Sequence, residues 1–170
     1  MADPEFAGTV SYILQHDAQG AMGVIINRPS SYRLAEICES ASISPVDALT
    51  GEHGVHLGGP VSSEQGFVLH RLSERVWQGS VDNGNLGLTT STDILQALAQ
   101  GEGPSDYIFC LGYSGWSEGQ LEEELKQNAW LTVAADNDII FAAEDASKYQ
   151  RALSLLGIDI AALSGHGGQA

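Results

Sequence analysis

Asp106-Tyr-Ile-Phe-Cys-Leu-Gly-Tyr-Ser-Gly-Trp-Ser-Glu-Gly-Gln-Leu-Glu-Glu-Glu-Leu-Lys-Gln-Asn-Ala-Trp-Leu-Thr-Val133 reads as one strand, turn, helix and second strand, and the rest of the chain is organised around it. The apolar run Tyr107 to Leu111 predicts a buried strand. Gly112 to Gly119 then brings three glycines and two aromatics to the strand's exit, which predicts a turn able to face a ligand. Ser117 followed by Gln120 has the spacing of a capping box, and Trp116 with Leu121 that of a hydrophobic staple, so a helix is expected from Ser117. Leu121 and Leu125 share one face of it. Glu122 and Lys126 can pair at i,i+4, and Asn128 offers a stop before a short strand, Trp130 to Val133.

The chain has 170 residues, 43% hydrophobic and 17% charged, a composition that suits one globular domain with no low-complexity segment. Twenty-two acids against 7 bases give a formal charge of −15, a field that repels phosphates and disfavours direct DNA binding. No apolar run approaches the roughly 20 residues of a spanning helix, and no basic-then-apolar leader opens the sequence, so a cytoplasmic protein without membrane contact is expected. Cys38 and Cys110 lie in apolar segments without CxxC spacing, which predicts buried reduced thiols.

Met1 to Phe6 resembles a cloning-site remnant, yet it runs directly into the alternating Thr9 to Gln15, and it is read as native. A five-residue loop, His16 to Gly20, joins that strand to Ala21–Asn27 as an antiparallel hairpin. Pro29 ends sheet pairing, and Leu34, Ile37 and Cys38 mark a short helix from near Ser31. Residues 39–54 read as a surface loop. Val55–Pro60 and Gly66–His70 predict a second hairpin, and Trp77–Val81 with Leu86–Thr89 a third around Asp82-Asn-Gly-Asn85. Thr90 and Asp93 cap a helix carrying Ile94, Leu95 and Leu98, stopped at Gly101–Pro104. Ile139–Phe141 reads as an edge strand. Asp145 opens a last helix with a Tyr149, Leu153, Leu156 stripe, and a single domain over 1–163 is followed by a glycine-rich, flexible tail over 164–170. Hairpins with interspersed helices, and no regular βαβ alternation, predict an α+β fold on a mixed sheet.

Asp3-Pro4-x-Phe6, Gly20-Ala-Met-Gly23, Ile26-Asn-Arg-Pro29, Leu57-Gly-Gly-Pro-Val61, Gly66-Phe-Val-Leu-His70, Thr90-Ser-x-Asp93 and Gly112-Tyr-Ser-Gly-Trp-x-x-Gly-Gln-Leu-Glu122 with Asn128-Ala-Trp130 occur in one order. Together they resemble the AlgH/YqgE family over residues 3–157. The resemblance implies a soluble bacterial protein with a strongly bent, partly barrel-like mixed sheet flanked by about four helices. It also implies a label of unknown function or transcriptional regulator, and no established chemistry. Family members typically carry a further apolar strand ahead of the Asp-Pro, so either the start at Met1 is late or the sheet is one element short. Glu64-Gln65 stands where members often place a basic residue, which weakens an anion site in that loop.

The residues themselves offer few catalytic sets. Gly112-Tyr-Ser-Gly115 lacks the glycine a nucleophile elbow needs two residues after its serine, so Ser114 reads as part of a tight turn. The amides at the helix start expected at Ser117 could receive an anion, which Glu118 and Glu122 oppose. His53 and His56 lack accompanying metal ligands, His16 and His70 read as hydrogen-bonded strand-end residues, and no nucleotide motif is present; no metal or cofactor is expected. Arg28, at a strand end between Asn27 and Pro29, reads either as an internal ion pair or as a carboxylate clamp. The first expectation is a non-catalytic regulatory or adaptor protein with a protein partner. The alternative is a small-molecule site, or a hydrolase-like activity, where Gly58, Gly59 and Gly112 let backbone approach a ligand and Asn27, Arg28, His70 and Tyr113 supply polar handles.

Overall fold

The computed structural model describes residues 6–157, with the side chains of residues 48 and 49 left aside. β8 (Tyr107–Trp116) has neighbours along both edges. On one side it runs antiparallel to β5 (Val61–Arg71). On the other it pairs in parallel with β4 (Gly54–Leu57) at Phe109–Leu111, then antiparallel with β2 (Gly20–Ile25) at Ser114–Trp116. The turn expected from Gly112 is therefore absent. Tyr113 pairs with Val61 and Ser114 with Gly23, so strand partners satisfy this backbone, and Gly112 (φ +77°) marks only a kink within the strand.

The sheet order is β1-β2-β8-β5-β7-β6, with β1 (Ser11–Asp17), β6 (Val81–Asp82) and β7 (Leu86–Thr89). β1 and β2 form the expected hairpin, but through the two residues Ala18 and Gln19; the Asp17 carboxylate accepts from the Gln19 N–H at 2.8 Å and tightens the turn. Register shifts within β1 and β5 bend the sheet. The bend carries β1 round to the β6–β7 turn, where the Asn83 side chain donates to the Tyr12 hydroxyl at 2.7 Å. The result is the expected α+β fold on a strongly bent mixed sheet, nearly closed into a barrel with one seam.

Where Phe67–His70 of β5 and Ile108–Cys110 of β8 lie mid-sheet, both faces are buried. Phe67, Leu69, Ile108 and Cys110 point into the barrel with Tyr12, Leu14 and Ile26. Val68 and Phe109 point outward under Leu34 and Cys38 of α1 (Leu34–Ser40) and Ile94 and Leu98 of α3 (Thr92–Ala99). This double burial is why the two strands read as continuous apolar runs rather than as alternation. Both cysteines are buried and free, as their context predicted.

Several local expectations are corrected. Pro29 opens β3 (Pro29–Arg33) instead of ending the sheet, because β3 is an edge strand bonded only to β4, and helix α1 starts at Leu34. Residues 39–54 include a short helix, α2 (Ala48–Gly51). β4 and β5 do not form a hairpin, since each takes β8 as its partner. Ser91, not Thr90, precedes α3, with its hydroxyl on the Asp93 carboxylate. Residues 130–135 form no strand among the described residues, and Ile139–Phe141 lie in a π-helical turn (Asp138–Ala142) whose first amides bond the Asp136 carboxylate. In α5 (Asp145–Leu155) only Leu153 of the expected stripe is buried; Tyr149 and Leu156 remain exposed. The domain end at 163 and the tail lie outside the described residues.

α4 (Gln120–Lys126) begins three residues later than Ser117, behind Gly119 in the left-handed region. One half of the box survives: the Gln120 side chain accepts from the Ser117 N–H at 2.9 Å. Trp116 (7% exposed) and Leu121 are both buried, but with the helix starting behind Gly119 they do not hold the two positions of the expected staple. The Trp116 indole N–H donates to the Glu124 carboxylate at 2.8 Å, and that of Trp130 to the same oxygen at 3.0 Å, while Phe6 and Trp130 pack edge-on at 5.5 Å. Trp116→Ala therefore removes a core ring and an anchor of this cluster, and urea denaturation should show a loss of about 3–5 kcal/mol. Ser117→Ala should cost well under 1 kcal/mol, because the backbone bond to Gln120 is kept and only the longer, exposed bond from the hydroxyl to the same oxygen, at 3.2 Å, is lost.

Candidate functional site

Three glycines from the sequence-derived site do converge, but upon one another. β4 ends by inserting Gly58 where β2 and β8 diverge: the Gly58 N–H donates to the Leu111 carbonyl, and its own carbonyl accepts from the Ile25 N–H, both at 2.8 Å. A Cβ on Gly58 would lie 2.4 Å from the Gly112 carbonyl, one on Gly59 2.3 Å from the Tyr113 backbone, and one on Gly112 2.3 Å from the Gly59 carbonyl. These glycines make room for backbone against backbone. Ser114 is buried in the same junction and its hydroxyl donates to the Gly58 carbonyl at 3.2 Å, so it is held as a structural group. Tyr113 packs its ring edge-on to Phe67 at 5.3 Å.

The polar handles separate. Asn27 accepts from the Val10 N–H at 2.8 Å and donates to the Gly8 carbonyl, fixing the approach to β1. Arg28 is half-buried and its carbonyl accepts from the Leu57 N–H at 2.9 Å, but among the described residues no carboxylate pairs with its guanidinium. His70 is 2% exposed and sits opposite Tyr107, whereas Val61 sits opposite Tyr113. Six residues of strand therefore part His70 from Tyr113, roughly 20 Å. Its ring N–H donates from Nδ1 to the Arg71 carbonyl, which leaves Nε2 to accept from Thr89 at 2.7 Å.

A buried ionic cluster escaped the sequence reading. Lys148 of α5, 3% exposed, donates to the Ile26 carbonyl at 2.7 Å and pairs with Asp145 at 3.1 Å; the other Asp145 oxygen accepts from His56 Nε2 at 2.8 Å. The signal was present as an i,i+3 acid–base pair at the start of an amphipathic helix. The cluster ties α5 across the barrel end. Burial pushes the Cys110 thiol up to about 12, opposed by the Lys148 charge, so it stays protonated and is no nucleophile. His53 stacks on Tyr107 at 4.4 Å while His56 faces Asp145, so the two rings do not share a metal.

A concavity among the described residues lies elsewhere, along the seam. A groove of about 740 Å³ is lined by β1 and by residues 128–136, with Phe6, Trp116, Ile139 and Leu153 also in its wall. Its lining is mainly apolar, and Leu131 (61% exposed) and Val133 stand out at its lip. None of the residues proposed from sequence lines it.

Gly112→Ala should destabilise the protein by about 2–4 kcal/mol, through a left-handed backbone and a clash with backbone. Tyr113→Phe should change stability by less than about 0.5 kcal/mol, since no hydrogen bond holds its hydroxyl among the described residues. Burial lowers the pKa of His56, against the pull of Asp145, and lowers that of His70, against the Arg71 carbonyl. Both rings are neutral in the fold, so the unfolded chain takes up protons first as pH drops below the ordinary 6.5. Stability should be full above that pH and decline below it. Urea midpoints at pH 7 and 5.5 test this, and His70→Gln should flatten the slope.

The AlgH-like family profile matches residues 1–161. A UPF0301 protein of Thiobacillus denitrificans is 48% identical over all of this chain and 91% of its own, and one of Chromohalobacter salexigens is 44% identical over 98% and 90%. The solution structure of the AlgH protein from Pseudomonas aeruginosa superposes with a TM-score of 0.82 at 43% identity, covering all of this chain and 90% of its own. A crystal structure from Corynebacterium diphtheriae shares the fold at TM-score 0.65 and 15% identity, over 88% and 77%. With family, relatives and fold in agreement, the chain belongs to the AlgH-like family.

Proposed function

We propose that this is a non-catalytic adaptor that works by holding part of another protein in the seam groove. The observation that carries the reading is the groove itself: a long apolar trough on an acidic protein, with Leu131 and Val133 exposed at its lip. The reactive side chains support the same reading. Ser114 and Cys110 are sealed in the core, and the His56–Asp145–Lys148 cluster is engaged in holding α5. Any influence on transcription would pass through protein contact, because a charge of −15 repels duplex DNA. No helix among the described residues is long and apolar enough to cross a membrane, which is compatible with a cytoplasmic partner. A second reading, an apolar small molecule as occupant, is favoured by the groove's volume.

A photo-crosslinking amino acid at position 131 tests the adaptor reading in cells, with the same residue at Val76, an exposed position off the groove, as control. A discrete protein adduct at 131, absent at 76 and lost with Val133→Glu, is expected; equal adducts at both positions would sink the proposal. A thermal-shift screen with apolar metabolites addresses the second reading, since a ligand selective for the fold must raise Tm.

A further inference from the structure

Resting on that reading of the groove, we propose that the partner enters as an extended apolar segment flanked by lysines or arginines, which adds as a strand to the outer edge of β1. β1 ends the sheet order. The Val10 carbonyl accepts from the Ile26 N–H, and the Tyr12 carbonyl closes on Gly23, so both face β2. By alternation, the N–H and C=O groups of Ser11 and Ile13 face the groove. Among the described residues no backbone hydrogen bond reaches them. The Ser11 hydroxyl is buried without a partner at the same edge.

Edge strands are normally guarded by lysine, proline or an early bulge. Ser11-Tyr-Ile-Leu14 has no such residue, and the register shift comes only after Ile13. The opposite wall, residues 130–135, also lacks strand partners among the described residues. Such a slot recognises backbone, with alternate side chains entering the apolar trough.

Charge selects the occupant. Asp136 lines the groove, Glu122 is bonded to the groove-lining His16, and the chain as a whole carries −15. A second copy would bring the same acids to the edge and be repelled, whereas cationic flanks would be attracted and would speed encounter.

The test uses the full chain and a synthetic peptide of five alternating valines and threonines between two lysines at each end. Titration should shift the Ser11 and Ile13 amide resonances and protect them from exchange. N-methylation of alternate peptide nitrogens should weaken binding at least tenfold, as should glutamates in place of the lysines at low salt. Equal affinity of the N-methylated peptide would overturn strand addition, and so would no shift at Ser11 and Ile13. Protection of those two amides in the peptide-free protein would also overturn it, because the edge would then be filled by this chain or, if protection rises with concentration, by a second copy. The adaptor reading fails separately: a groove-specific cross-link in cells with no peptide pairing would leave the adaptor and remove the strand.

Discussion

Everything in this fold depends on how close three backbones come at one point of β8. Where β2 leaves β8, the end of β4 takes its place, and Gly58, Gly59 and Gly112 approach to distances at which no Cβ fits. The junction lets one strand bond to β5 on one side and to two different strands on the other. The split turns a flat sheet into a bent one, since β2 and β4 leave β8 in different directions. β1 follows β2 round to the β6–β7 turn, and the seam bridged by Tyr12 and Asn83 is a consequence.

The same geometry divides the molecule energetically. The paired segments Phe67–His70 of β5 and Ile108–Cys110 of β8 bury both faces and hold two cores together, while β1 and residues 130–135 line a trough. Function at the seam requires a rigid frame and an unsatisfied edge, and the fold supplies each in a different place. The buried Lys148–Asp145 pair belongs to the frame. Removing Asp145 would leave the buried Lys148 charge without its counter-ion, a change that costs on the order of 3–5 kcal/mol for buried pairs.

Periodicity and turn chemistry made most strands and helices legible, and the joint order of short motifs made the family so. What stayed hidden has common physical causes. The glycines of Leu57-Gly-Gly-Pro60 and Gly112 signal close approach, but sequence does not say whether to a ligand or to another backbone. Tyr113 to Trp116 looked like a turn because glycine and aromatic residues dominate it, and long-range pairing with β2 and β5 overrode that local signal. His70 looked accessible at a strand end, yet β7 covers it. Trp130 to Val133 carries a strand's composition without a strand's partner among the described residues, and that mismatch is itself the trace of the groove.

Native-state hydrogen exchange along the sheet tests the division between frame and seam most directly. Amides of β8 from Ile108 to Leu111 should exchange only through global unfolding, with an opening free energy that tracks the urea-derived stability. Inward-facing amides of β1 should open locally at a distinctly lower cost. Equal protection in β1 and β8 would mean that the seam is as closed as the core, and would contradict the account.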